Sequence, residues 1–465
     1  MIKKIVLLSL IVPQLTVSCS SDDSPETIKD PVTEEPVKDK TLAEEIAEIL
    51  KQPYSNLTPA EQKVKLEAEA NEILVQLEKT KNSGAIGAME NLNRLLDVDF
   101  VDIFNGQNNN QVEDILNVSG VYGIYSWNNA QKKWLKTDSA TELKFVFPAK
   151  ASQTENNASF SAKSVSSDIK VKIEDSYRYW IYDEQTQQGA FIPAVNDHIF
   201  LPTSTDAILT IDNAQAATFT QTASYSNGKE APDDFTYKMI LNDGYTWEMS
   251  GKKGIESTSK GLLTYNGKTI LDFNAGSNAN IDVLIENDTL VQYRGKANGL
   301  MNLMDNFIII ADMDLAAEAA ENATLKSIAS PLFPDQYDAN TNFKAYYTAR
   351  NKYEKILSEN KAANFNKNMK LILVSKKDGT KIADLVKHSE KSGDDYVFNL
   401  PVWNATNNYW EYSSNGESFS QPYLNEVLYL KFSDNTEVEF SAYFSTLYDK
   451  FQTQFGDFIK SFGKK

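Results

Sequence analysis

Four of the chain's six tryptophans occur in two copies of one pattern. "WNNAQKKW" (127–134) and "WNATNNYW" (403–410) each run Trp-Asn, five mostly polar residues, Trp. Exposed indoles grip the apolar face of a sugar ring, and indoles facing one another across a turn staple a hairpin. Trp127, Trp134, Trp403 and Trp410 are therefore candidates for ligand contact. The hairpin-like setting of both boxes favours the staple. A third stretch, "SYRYWIYDE", sets Tyr177, Tyr179 and Ile181 on one strand face and Arg178, Trp180 and Tyr182 on the other. One of those faces is expected to be wet, which adds Trp180 as a candidate.

Other chemistries find less support. The two histidines, His198 and His388, stand alone in "NDHIF" and "VKHSE". Neither spacing makes a zinc pair, and neither is accompanied by a nucleophile elbow. Carboxylates are plentiful, and a glycosidase needs only two of them across a cleft, a spatial relation that sequence spacing does not reveal. "DMD" at 312–314, after the apolar run "NFIIIA", is the best-placed acid group; acids at a strand end leading into a helix commonly cap it. No complete acidic calcium loop or glycine-rich phosphate loop is present, and no metal or cofactor is expected. The reading leans away from an enzyme.

The elements that must position these residues follow from periodicity. Thr41 with Glu44, and Thr58 with Pro59 and Glu61, mark two helix starts. Val64, Ile73, Leu74 and Leu77 then recur at helical spacing, as do Met89, Leu92, Leu95 and Leu96. Beyond them the period becomes two, in "ELKFVFP" with Leu143, Phe145 and Phe147 and in "DIKVKIE" with Ile169, Val171 and Ile173. Asn266-Gly267 predicts a hairpin in which Leu262 opposes Leu271 and Thr264 opposes Thr269. Tyr237, Met239 and Leu241 are expected near Tyr245, Trp247 and Met249. Further hairpins should turn at Asp378-Gly379 and Asp434-Asn435. No helix separates successive strands, so the sheet should be antiparallel rather than βαβ.

The expected class is α+β, mainly an antiparallel meander. The chain divides into a helical cap (41–106), a β portion (107–312), a helical insertion (313–366), a second β portion (367–441) and a C-terminal helix (442–465). In that last segment Phe444, Tyr448, Phe451, Phe455, Phe458 and Phe462 form one stripe. Each tryptophan box has an "LKF" downstream, at Leu143 to Phe145 and at Leu430 to Phe432, which would fit a duplicated unit.

Lys3 and Lys4 precede the apolar run "IVLLSLIV", about half of the roughly 20 residues needed to cross a bilayer, so residues 1–18 are expected to be a signal peptide. Cys19, the single cysteine, follows immediately. The stretch resembles a bacterial lipobox, with Thr16 where leucine is commoner, and "SSDDS" after it resembles the acidic tag that sends lipoproteins of Bacteroidota to the outer face of the outer membrane. Residues 19–40 would be an acidic, proline-containing tether. The net charge of −18 becomes more negative once Lys3 and Lys4 are removed, and a surface this acidic repels phosphate backbones, which excludes nucleic acid as the expected partner.

With "LTPAEQKVKLEAEANEIL", "YSWNNAQKKW" and "IFLPTSTDAILTID", these signals make the chain similar to a group of uncharacterised Bacteroidota surface lipoproteins. The resemblance implies lipidation at Cys19, an outer-membrane address facing the exterior, and partners among glycans or other surface proteins. It implies no activity. "DSA" at 138–140 and "DTL" at 288–290 resemble an O-glycosylation acceptor pattern of the same bacteria, at Ser139 and Thr289. A carboxylate-based glycoside hydrolase and a half-barrel carrier of lipid or lipoprotein are the alternatives to a binding module.

Overall fold

The computed structural model describes residues 41–99, 112–174, 179–183, 188–192, 196–303 and 306–444. Cys19, the signal sequence, the tether, Tyr177 and Arg178 lie outside these residues. So does the expected C-terminal helix beyond the short helical turn Phe440–Phe444.

Both predicted helix starts form through the same reciprocal cap. Helix α1 (Leu42–Leu50) opens with the Thr41 hydroxyl accepting the Glu44 N–H at 3.3 Å, while Glu44 Oε2 accepts the Thr41 N–H at 2.9 Å. Thr58 and Glu61 repeat this for α2 (Pro59–Glu78), at 3.4 and 2.8 Å. The hydrogen bonds from Thr58 hold the Glu61 carboxyl below its ordinary range. In α2 the expected stripe fails at Val64, which is 69% exposed, because Leu66 is the residue turned toward Phe307, Leu373 and Leu430. Helix α3 (Gly84–Val98) buries Met89, Leu92, Leu95 and Leu96 as expected. A short α4 (Val112–Leu116) follows, so the β portion begins later than residue 107.

The first strands are β1 (Gly123–Asn128), β2 (Lys133–Thr137), β3 (Leu143–Phe147) and β4 (Ala158–Glu174). A side hairpin of β5 (Tyr179–Asp183) and β6 (Gln188–Ile192) precedes β7 (Asn196–Ile211), which returns along β4. The meander continues through β8 (Ala214–Ser224), β9 (Asp234–Leu241), β10 (Tyr245–Lys252), β11 (Ser257–Tyr265) and β12 (Lys268–Ser277). After α5 (Ile281–Glu286) come β13 (Lys296–Leu303) and β14 (Phe307–Asp314). The helical insertion is α6 (Leu315–Thr324) and α7 (Phe343–Asn368), and β15 (Met369–Ser375) and β16 (Thr380–Lys391) resume the sheet. An excursion of β17 (Tyr396–Asn399), β18 (Val402–Asn404), β19 (Tyr409–Glu411) and β20 (Ser418–Gln421) leads to β21 (Leu424–Lys431) and β22 (Glu437–Glu439).

Among the described residues, sixteen of these strands form one sheet, from β2 at one edge to β22 at the other. The two expected β portions are therefore continuous, joined where β14 pairs with β15. Every pairing in the sheet is antiparallel except β1 with β3, because the β1–β2 hairpin folds back and leaves β1 running alongside β3. Tyr237 opposes Met249 and Met239 opposes Trp247, as the pattern predicts. At Asn266-Gly267, Thr264 meets Thr269, but a bulge then pairs Leu263 rather than Leu262 with Leu271. The extra residue, Ile270, lets two successive side chains of β12 be buried.

One face of the sheet carries a row of buried side chains from strand to strand: Tyr125, Phe145, Phe160, Leu209, Ala217 and Leu241. Helix α3 lies across this inner face, and Leu66 of α2 covers its continuation over β14 to β16. Each fully buried Leu or Met of α3 contributes about 1.5–3 kcal/mol. The helices thus fill a face rather than cap an end. Helix α1 packs on the opposite face, over Ile308, Ile310, Ile372 and Val374, which explains the unbroken apolar run of β14. The chain passes between the two faces beside β16, where Ser55 N–H donates to Lys381 O and Lys381 N–H donates to Pro53 O, both at 2.8 Å.

Candidate functional site

Both tryptophan boxes are four-residue hairpin loops with the same turn chemistry. Asn128 opposes Lys133 and Asn404 opposes Tyr409. In the first, Asn128 Oδ1 accepts the Gln131 N–H at 2.9 Å; in the second, Asn404 Oδ1 accepts the N–H groups of Thr406 and Asn407 at 3.0 and 3.1 Å. The residue four after each Asn, Lys132 or Asn408, takes a left-handed conformation with φ of 53° or 54°. The tryptophans are then direct cross-strand partners, Trp127 with Trp134 and Trp403 with Trp410, at ring distances of 5.3 and 6.0 Å.

Surroundings separate the two boxes. Trp127 and Trp134 are 5% and 8% exposed, and Trp134 meets Phe145 edge-on at 5.4 Å. They belong to the main core, which removes them from the ligand-contact candidates. The duplication reading also fails. Leu143 to Phe145 lies in β3 beside the first box, whereas the second box is a separate two-stranded hairpin that β21, with Leu430, does not join.

The second box sits half-buried in a lobe built by β17 to β20, the start of α7 and the loop "SPLFPDQYD" at 330–338. Trp410 N–H donates to Gln336 O, and its Nε1 donates to Asp338 O, both at 2.8 Å. That loop is set by local turns: Asp335 Oδ1 accepts the Tyr337 N–H at 2.8 Å, and Asp338 Oδ1 accepts the Asn340 N–H at 2.9 Å. Asn342 caps α7 by accepting the Ala345 N–H at 2.8 Å. Inside the lobe, Gly416 lies so close to Leu400 O that an added Cβ would sit 1.9 Å from that oxygen, so only glycine fits.

From Trp403 a belt of aromatic contacts runs through Trp410, Phe343, Phe333, Tyr346 and Tyr347 to Phe398, with neighbouring rings 4.9–6.0 Å apart. Tyr396 stacks on Phe398 at 5.4 Å, and Tyr347 and Tyr412 share a hydroxyl hydrogen bond of 2.6 Å. Several members are open to solvent, among them Phe333 at 51% and Tyr396 at 54%, and Tyr337 in the neighbouring loop is 74% exposed. Around them lie Asn340, Asn404, Asn407 and the carboxylate of Glu411, which accepts from Asn404 Nδ2 at 3.1 Å and Tyr409 OH at 3.0 Å. That bond to Glu411, and the neighbouring Tyr337, hold the Tyr409 hydroxyl above its ordinary value. Ring faces framed by amides and carboxylates suit a ligand with apolar faces and hydroxyl edges.

Trp180 and Tyr182 are also exposed, on one face of the β5–β6 hairpin, where the Trp180 ring lies over Gly189. They are not joined to the lobe by any ring contact among the described residues. Ser139 and Thr289 occupy turns: the Ser139 hydroxyl accepts the Glu142 N–H at 3.3 Å, and Thr289 donates to Asn287 Oδ1 at 2.6 Å.

Asp312, Asp314 and His388 have structural partners. Asp314 caps α6 by accepting the Ala317 N–H at 2.9 Å and lies 3.3 Å from Lys296, while Asp312 lies 3.9 Å from Lys370. His388 Nε2 is 2.6 Å from Glu437, with the Tyr429 ring edge-on. The backbone of His198 in β7 pairs with Lys172 of β4, and its side chain is outside the described set. Among the described residues no group of three or more His, Cys, Asp or Glu could hold a metal ion. The Glu321 carboxyl is held low by hydrogen bonds from Lys367 and Asn368, and Asp395 by one from Lys391, the reverse of what a general acid requires.

Phe333, Tyr337, Tyr346, Tyr347, Tyr396 and Tyr412 are not among the residues that spacing singles out in the sequence. The available signal was Leu332, Phe333 and Tyr337 in a Pro- and Asp-rich loop, where no helix or strand period would bury them. The sequence matches no family model, and neither a curated protein nor a solved structure matches it.

Proposed function

We propose that this chain is a non-catalytic binding module, tethered to the outer face of the outer membrane through lipid on Cys19, and that it meets glycan through the aromatic lobe. The observation that carries the glycan reading is the belt around Trp410: rings that are partly solvent-facing, fixed in place by backbone hydrogen bonds, and framed by amides and acids. A pure staple needs none of that exposure, as the first box illustrates.

The surface address rests on Lys3, Lys4, the apolar run, Cys19 and "SSDDS" in the sequence. The hydrolase alternative is weakened because Asp312 and Asp314 are engaged as ion-pair and cap residues. The carrier alternative is weakened because α3 occupies the face where a half-barrel would hold its lipid.

The test is a glycan-array screen of the full chain in detergent, beside Tyr337→Ala and Trp410→Ala. Binding that both variants lose supports the reading, and binding that neither affects moves the site elsewhere. Fatty-acid labelling that survives Cys19→Ala would remove the anchor. A protein left intact by protease on whole cells would place it on the periplasmic side.

A further inference from the structure

The charges framing the aromatic belt are not balanced. Three basic groups on the segments of the lobe are already engaged: Lys344 pairs with Glu417, Lys391 with Asp395 at 2.8 Å and Arg350 with Glu354 at 3.7 Å. Asp335, Asp338 and Glu411 have no cationic partner among the described residues, and their hydrogen-bond donors are neutral backbone, amide and hydroxyl groups. All three lie on the segments that hold Trp410. Glu411 follows it in β19, on the hairpin face of Asn404 and Tyr409; Asp338 O accepts the Trp410 Nε1–H; and Asp335 precedes Gln336, whose carbonyl accepts the Trp410 N–H.

We propose that the lobe takes neutral glycan chains and rejects those bearing carboxylate or sulfate groups, with Asp335, Asp338 and Glu411 as the selecting residues. This rests on the glycan reading above. A ligand anion brought to the lobe meets three like charges across water. At a separation of about 8 Å each weakens binding by roughly twofold, so three weaken it by about tenfold at low salt. The Debye length falls to about 3 Å at 1 M, so the discrimination disappears in high salt. Neutral hexose chains keep the ring stacking and the amide hydrogen bonds at either salt. An amine-bearing chain gains where an anionic one loses.

The experiment measures binding of the full chain, in detergent, to oligosaccharides of one backbone in neutral, amine-bearing, uronate and sulfated forms, at low and at high salt. Expected is a neutral-to-anionic affinity ratio of about ten at low salt that collapses in high salt. Amine-bearing chains should be favoured at low salt only. Asp335→Asn, Asp338→Asn and Glu411→Gln combined keep an acceptor oxygen at each site and should bring the ratio close to one; Glu411→Gln alone, less disruptive, should move it about twofold. Equal binding of neutral and anionic chains at low salt overturns the inference and leaves the glycan reading standing. A ratio that neither variant moves overturns it also. Absence of binding to every chain overturns the glycan reading, and this inference with it.

Discussion

The two tryptophan boxes share loop length, a capping asparagine, a left-handed residue four positions on, and a cross-strand indole pair. Yet the first is buried in the main core and the second lies half-open on a lobe set off from the sheet. The motif therefore encodes a turn. Its surroundings encode the role: Trp134 has Phe145 of the sheet beside it, whereas Trp410 has a polar loop whose carbonyls it needs. One eight-residue pattern can hold a fold together in one setting and display a surface in another.

The sharpest test of that contrast is Trp134→Ala, which should lower stability by about 3–5 kcal/mol in denaturant titration, because it empties a packed aromatic site. Trp410→Ala should cost less, about 1–3 kcal/mol, while abolishing glycan retention. If both variants lost the same stability and binding were untouched, the contrast would fail. At the turns, Asn408→Ala should destabilise by about 1 kcal/mol, since alanine tolerates the left-handed conformation poorly, and Lys132→Asn should stabilise by about 0.5–1 kcal/mol. Equal and opposite shifts in thermal midpoint would confirm that the boxes share one turn. Tyr347→Phe, which removes the hydroxyl contact with Tyr412, should cost about 0.5 kcal/mol.

The smallest effect is set by acid. At the base of the lobe, hydrogen bonds from Lys391 and Ser420 hold the Asp395 carboxyl below the unfolded value of about 3.9, with Lys391 the main cause. A depressed carboxylate contributes stability that is present above the unfolded pKa and is lost as pH falls through the lower folded one. Below about pH 4 the lobe should loosen first. In a fluorotryptophan-labelled chain the Trp410 resonance should move before that of Trp127; simultaneous movement would tie the lobe to the sheet.

Much of the architecture was legible because it is local. The Thr41 and Thr58 caps, the Met89 to Leu96 stripe, and the Tyr237 to Met249 register all follow from period and turn chemistry. The bulge beside Thr264 was not legible, because its cause is the demand of the core for both Ile270 and Leu271. Nor was the inversion at Val64, since the buried line of α2 is chosen by Phe307, Leu373 and Leu430, more than two hundred residues away. The site was half legible. Trp403 and Trp410 announced themselves by repetition, but their partners Phe333, Tyr346 and Tyr396 come from three segments that only the fold brings together.

The passage of residues 53–55 beside β16 has a consequence for how the molecule is made. Tyr54 OH donates to Asp384 at 2.7 Å across 330 positions, and Tyr443 OH donates to Pro59 O at 2.7 Å across 384. The first helices can find their seats only after nearly the whole chain has been synthesised, and closing such long loops delays folding. A polypeptide in that condition keeps its two ends unlocked until the last strands of the sheet are in place.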